Sequence, residues 1–253
     1  MAARRTWALE RNDRRSALAA GAEMTVYAED GGFGVGRHKG PAWKVVLGRG
    51  GPVEALLGGG RRGGRGGRVG GAGIIVPPET GHLCTAAGAF TAFFVDPWLL
   101  RPAAGPVPLD RDEVRRLLAA LGPPGGAPDT SAAFAELTRV TGAGAPLDPR
   151  VEYAVGASMS MRAAGEAGRI GAIAADVGLS PVRLRALVGA SVGVPLVRLR
   201  SWARLRWAIG RLADGSAADA AAEAGFADQA HFTRTAGGLL GRTPGSLREH
   251  LSR

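Results

Sequence analysis

The sequence predicts an α+β protein in two parts, a small β-barrel or sandwich followed by helices. Three observations carry this. Between residues 24 and 98, short apolar runs are cut by Gly, Pro and Asp, the pattern of closely spaced strands. After Pro97 the apolar spacing changes to the helical period. The linker "GAGAPLD" (142–148) then separates the first helices from a long helical remainder. These features predict a basic, flexible N-terminus over 1–21, a barrel with two helices over 22–146, and an all-helical domain over 147–253.

Residues 1–21 read as a frayed segment or a short helix. The strands are expected at "FGVG", "AWKVVLG", "VEALLG", "GIIVPP", "HLCTA" and "FTAFFVD". Between them, Gly58 to Gly73 ("GGGRRGGRGGRVGGAG") is too rich in Gly to order as a good strand or helix, so a mobile loop is expected. Two helices follow, "RDEVRRLLAALG" and "SAAFAELTRVTG". Val114, Leu117, Leu118 and Leu121 share one face of the first, and Phe134, Leu137 and Thr138 one face of the second.

The last third holds two similar units. In Arg169 to Gly193, Ile170, Ile173, Ala174 and Val177 form an apolar stripe, and Gly178 can stop that helix in a left-handed conformation. Ser180 is a good N-cap with Pro181 at the first helical position. Leu184, Leu187 and Val188 then make the buried face of the second helix. The pattern repeats around Gly225. Asp228 is the cap, Phe226 packs on Phe232 as a staple does, and Phe232, Ala236 and Leu239 point inward. Each unit has the arrangement of a helix-turn-helix, a pattern that any helical hairpin can also show. Between them runs a long helix carrying Arg198, Arg200, Arg204, Arg206 and Arg211.

Charge suggests an anionic partner, nucleic acid or a membrane surface. The formal net charge is +10, from 30 Arg and 2 Lys against 22 acids. GC-rich codons explain Arg over Lys but not the excess of positive charge. Arg169 to Arg211 alone has eight Arg and one Asp, where a solvated helix face would mix signs. Apolar residues make up 45% but aromatics only 6%, so each Phe or Trp carries much of its core. Cys84 is the only cysteine, which excludes a disulfide framework and a cysteine-based zinc site. No run approaches a membrane span and the N-terminus lacks a signal-peptide core, so a cytoplasmic protein with no membrane partner is expected.

Residues about 148–250 resemble the DNA-binding domain of AraC/XylS-type bacterial transcriptional regulators. The matching stretches are "IAADVGLSPVRLRAL", "RLRWAIGRLADG" and "AAEAGFADQAHFTRTAGGLLGRTPGSLR". Ala236, Gly237-Gly238, Ala186 and Val188 depart from the usual residues. "IIVPPETGH" resembles part of the cupin-like barrel that precedes this domain in many members. The resemblance implies a regulator of transcription rather than an enzyme, with double-stranded DNA as partner. It further implies a small-molecule effector or dimerisation through the barrel, a homodimer, and RNA polymerase as a further partner. Its fold is a cupin-like barrel with two packing helices and two helix-turn-helix units joined by a long helix.

The residues expected at DNA are Val182, Arg183, Arg185 and Ala186 in the first unit. In the second they are Gln229, Ala230, His231, Thr233 and Arg234. Arg185 can bond guanine O6 and N7 together, Gln229 can pair with adenine, and Arg183 suits a phosphate. His231 has a competing role as a structural hydrogen-bonding group at the helix start. Trp43, His82, Phe90 and Trp98 are candidate pocket residues, with core as the competing role. No catalytic residue, cofactor or metal is expected. The alternative is a cupin-type metalloenzyme with a helical appendage, against which the absence of a His-x-His pair at His38 counts. His38, His82 and Glu79 would make a poor site.

Overall fold

The computed structural model describes residues 5–11, 14–20, 23–58, 67–123, 126–160, 170–212 and 215–251. Among them, eleven strands form two antiparallel sheets and nine helices follow. The strands are β1 (Arg5–Arg11), β2 (Arg14–Ala20), β3 (Met24–Glu29), β4 (Phe33–His38), β5 (Trp43–Gly48) and β6 (Val53–Leu57). They continue with β7 (Arg68–Gly71), β8 (Gly73–Val76), β9 (His82–Ala86), β10 (Phe90–Val95) and β11 (Val107–Leu109). One sheet has the order β1-β2-β3-β10-β5-β8-β11 and the other β4-β9-β6-β7. The chain is thus α+β, as its periodicities predict.

The strand period of two explains how the larger sheet is buried on both faces. On β5, Trp43, Val45 and Leu47 point one way, into a core shared with Phe93 and Val95 of β10. That core is closed by α1 (Arg111–Leu121) and α2 (Thr130–Thr141), through Val114, Leu117, Ala133 and Leu137. Phe93 is fully buried there, and truncating such a side chain to Ala costs about 3–5 kcal/mol. Helix α1 starts at a capping box. The Asp110 carboxylate accepts from the Glu113 N–H at 2.8 Å, and the Glu113 carboxylate from the Asp110 N–H at 2.9 Å.

The opposite face of β5 and β10 presents Val46, Phe90 and Ala92 to the second sheet. This core does not stop at the barrel. Trp202, Leu205 and Ala208 of the long helix α6 (Leu196–Arg211) belong to it. So do Phe232, Ala236 and Leu239 of α8 (Gln229–Leu240). A third core holds α3 (Pro149–Met159), α4 (Ile170–Asp176) and α5 (Pro181–Val192) around Val151, Ile173, Leu184 and Val188. Helices α7 (Ala217–Glu223) and α9 (Pro244–Leu251) complete the fold.

Two segments differ from expectation. Residues 5–11 and 14–20 form neither a frayed segment nor a short helix, but two paired strands, β1 and β2, that extend the larger sheet from β3. The alternation in "RTWALER", opposite "RRSALAA", suits strands, and basic composition alone does not disfavour them. The Arg-Gly tract is not wholly a loop, because Arg68–Gly71 pairs with Val53–Leu56. Pairing of the backbone there offsets the entropy of ordering Gly, and a Cβ on Gly71 would lie 2.8 Å from the Leu109 carbonyl. The part of the tract over 59–66 lies outside the described residues.

Candidate nucleic-acid interface and interdomain cavity

In the first helix-turn-helix unit, Gly178 ends α4 with φ of +66°. The Ser180 hydroxyl then accepts from the Arg183 N–H at 3.3 Å and Pro181 opens α5. Leu184 and Val188 are buried, while Val182, Arg183, Arg185 and Ala186 are exposed on the opposite side. Neither arginine has an ion-pair partner among the described residues. Four candidate DNA contacts therefore share the free face of one capped helix.

The second unit repeats this geometry. Gly225 takes φ of +72°, and the Asp228 carboxylate caps α8 by accepting from the His231 N–H at 2.5 Å. The Phe226 and Phe232 rings lie 5.1 Å apart, the expected staple. Gln229, Ala230 and Arg234 are exposed, and His231 and Thr233 half-buried. Thr233 donates its hydroxyl to the Gln229 carbonyl at 2.9 Å. His231 accepts the Ala227 N–H on Nδ1 at 3.4 Å and stands edge-on to Phe226. Its ring is thus already used at the helix start.

The long helix α6 departs from the reading that its arginines make up one DNA-facing charge. Arg198 bonds the Glu79 carboxylate at 2.6 Å and the Lys39 carbonyl. Arg206 bonds Asp96 at 3.1 Å. Arg211 lies 3.8 Å from Glu223 and stacks over Trp207. Arg198 and Arg206 are engaged because α6 lies against the barrel, and Arg211 is engaged by α7 and by α6 itself. Burial pushes the Asp96 carboxyl up, and the Arg206 guanidinium opposes that.

Between the barrel and the helices is a cavity of about 490 Å³. Phe33, Phe90 and Phe94 wall it from the strands, and Trp202 and Trp207 from α6. Its polar groups include Thr25, Tyr27, Lys44, Arg206, Arg211 and Arg242. Arg242, just past α8, bonds Glu29 at 2.5 and 3.1 Å and the Tyr27 hydroxyl at 2.9 Å. Lys44 is held differently. It is buried, and its Nζ donates to His38 Nε2 at 3.1 Å. Burial lowers its pKa. The buried Thr25 hydroxyl has no hydrogen-bond partner.

Of the four predicted pocket residues, Phe90 alone lines this cavity. Strand alternation turns Trp43 to the α1–α2 side, where its indole N–H donates to the Pro97 carbonyl at 3.1 Å. Trp98 packs on the first helix-turn-helix core. His82 is buried at a separate narrow void beside His38. Reasoning from sequence missed Lys44, although a lysine inside "AWKVVLG" on the same strand face as Val46 was a readable signal. It also missed Trp202, Trp207 and Arg242, whose approach to the barrel has no local signature.

The two imidazoles lie 4.2 Å apart. Each uses Nδ1 on a backbone carbonyl, His38 on Gly36 at 2.8 Å and His82 on Thr80 at 2.9 Å. Burial lowers their pKa values to about 2 for His38 and about 4 for His82, with the charge of Lys44 acting in the same direction. Glu79 is held by Lys39 and Arg198 rather than by these rings. Among the described residues no group of three His, Cys, Asp or Glu could hold a metal ion, and no helix is long and apolar enough to cross a membrane.

Comparison with known proteins adds to this geometry. Residues 173–250 match the model of a helix-turn-helix domain. No curated protein sequence matches the chain. ToxT from Vibrio cholerae O395 is similar in structure, with a TM-score of 0.58 at 10% identity over 90% of this chain and 97% of that one. Unsaturated fatty acid-bound ToxT from V. cholerae strain SCE256 aligns with a TM-score of 0.51 at 10% identity, over 96% and 98% of the two chains. A Chromobacterium violaceum transcriptional regulator with an AraC-type DNA-binding domain aligns over 40% of this chain and 90% of its own, at 24% identity and a TM-score of 0.35.

Proposed function

We propose that this chain, whose residues 173–250 match a helix-turn-helix domain, is a DNA-binding transcriptional regulator of the AraC type that reads a defined DNA sequence and responds to a small organic acid. The observation that carries the DNA reading is the pair of capped helices, α5 and α8, each with an exposed polar or cationic face beside its N-terminus. Helix N-termini of this kind meet base edges in the major groove. Val182, Arg183, Arg185 and Ala186 form the reading face of α5. Gln229, Ala230, Thr233 and Arg234 form that of α8, with His231 supporting the helix start. Footprinting with Arg185→Ala and Arg234→Ala tests this. Each loses protection or relaxes one base position if the assignment holds.

The effector reading rests on the cavity. Its walls are mostly aromatic, and within them sit a buried ammonium, Lys44, bonded to an imidazole, and an unsatisfied hydroxyl, Thr25. A carboxylate would accept from the Lys44 ammonium, and an apolar body would fill the remainder. That one ToxT structure is described as bound to an unsaturated fatty acid is consistent with an apolar acid here. Because barrel and DNA-binding helices both wall the cavity, an occupant would bias how they sit together. A homodimer through α1 and α2 and contact with RNA polymerase complete the reading. Titration of a fatty acid, followed by the fluorescence of Trp202 and Trp207, tests the effector. A change that saturates supports it, and an unchanged signal removes it.

A further inference from the structure

The reading face of α5 contains an exposed apolar strip. Val182 is 72% exposed, the highest value among the large apolar side chains of the described residues. Ala186, one helical turn further on, is also exposed. An exposed valine alone needs no explanation. Its position does. Val182 is the second residue of a helix capped by Ser180, in the turn that a helix-turn-helix unit directs at base edges. Among the described residues Arg183 and Arg185, which flank it, have no ion-pair partner, and α5 contains no acidic residue. An apolar strip between free cations complements a surface with phosphates on either side and an apolar group between them. In the major groove that group is the C5-methyl of thymine, and no other base presents one.

We infer that Val182, with Ala186 beside it, is a specificity-determining residue that selects thymine by its methyl group, next to the base read by Arg185. This rests on the sequence-specific reading of α5 proposed above and adds the chemical group that is read. The side chain of Val182 contacts little of its own protein, so substitution there leaves the fold intact. Its effect is therefore on recognition.

The test uses the full chain on the duplex it selects from random DNA. Each thymine of that site is replaced in turn by deoxyuridine, which removes only the methyl. One replacement is expected to weaken binding about four-fold, the worth of one buried methyl group. Val182→Ala should weaken binding to the unmodified duplex by about the same factor and be indifferent to that replacement. A thymine scan that gives the same penalties for both proteins, or a selected site without thymine near the position relaxed by Arg185→Ala, overturns the role of Val182 alone. Recovery of no shared sequence overturns the underlying DNA reading as well.

Discussion

Gly36 of β4 and Gly241, which ends α8, meet backbone to backbone, with the Gly36 N–H donating to the Gly241 carbonyl at 3.1 Å. Lys39 repeats this with Gly238 at 2.9 Å. The barrel thus holds the C-terminal end of α8 while leaving its N-terminal face exposed. A Cβ on Gly241 would lie 2.5 Å from the Gly36 carbonyl, and the residue has φ of +74°. Gly241→Ala should lose about 1–2 kcal/mol from left-handed backbone alone, and more from the clash. Gly193 has nearly the same φ, +72°, with open space around it. Denaturant unfolding should show Gly193→Ala losing distinctly less. Equal losses would mean that the approach of the two backbones is not constrained.

Arg242 and Glu29 tie the turn after α8 to β3, and both side chains are largely buried. Arg242→Met removes the guanidinium and leaves a buried carboxylate, at a cost of about 3–5 kcal/mol. The double variant Glu29→Gln/Arg242→Met should recover part of that loss. Stability measured by urea titration would contradict the assignment if the single variant matched the parent.

His38 and His82 are neutral and buried in the folded protein, with pKa values lowered to about 2 and about 4. In the unfolded chain both protonate near pH 6.5. Their contribution is therefore present above pH 6.5 and is lost as pH falls from 6.5 towards 4. Each contributes up to about 1.4 kcal/mol per pH unit in that window. Burial first, and then the charge of Lys44, keep both rings neutral, with the His82 ring adding to this at His38 and Arg37 at His82. Unfolding midpoints should fall from pH 7 to pH 5, and less so in His82→Gln. Equal midpoints at both pH values would show that the rings protonate in place.

Lys44 separates the effector from the fold. Lys44→Met relieves the desolvation of a buried ammonium but leaves His38 Nε2 without its donor, so thermal stability without ligand should change little. The same variant should lose the fluorescence response to a fatty acid. Retention of the full response would move the acid group to another cation of the cavity.

On DNA, the two free arginines of α5 should behave differently. Arg185→Ala is expected to cost about 1–3 kcal/mol and relax one base position. Arg183→Ala should weaken binding evenly across sequences and reduce the salt slope by about 1. Because Arg198 and Arg206 bond the barrel, their removal should change interdomain stability more than the salt slope.

Local features were legible in the sequence because their causes are local. Gly178, Ser180 and Pro181 define the turn of the first unit, and Gly225 with Asp228 that of the second, each within a few residues. The named strands likewise follow from short apolar runs. What was not legible depends on contacts between distant segments. The charge of α6 looked free because Glu79 and Asp96 lie over a hundred residues away. Trp43 and Lys44 are adjacent, yet alternation sends one to the helix-side core and the other to the cavity. The β1–β2 pairing was hidden by basic composition, although Asn12-Asp13 between two alternating runs is a turn signal.

The most direct test of the central claim is selection of bound duplexes from random DNA by the full chain. A sequence-specific regulator with two reading helices should enrich one consensus. It should carry two base-specific segments about one helical turn apart, with Arg185→Ala relaxing a position in one and Arg234→Ala in the other. Enrichment of no shared sequence, with affinity set by salt alone, would contradict it.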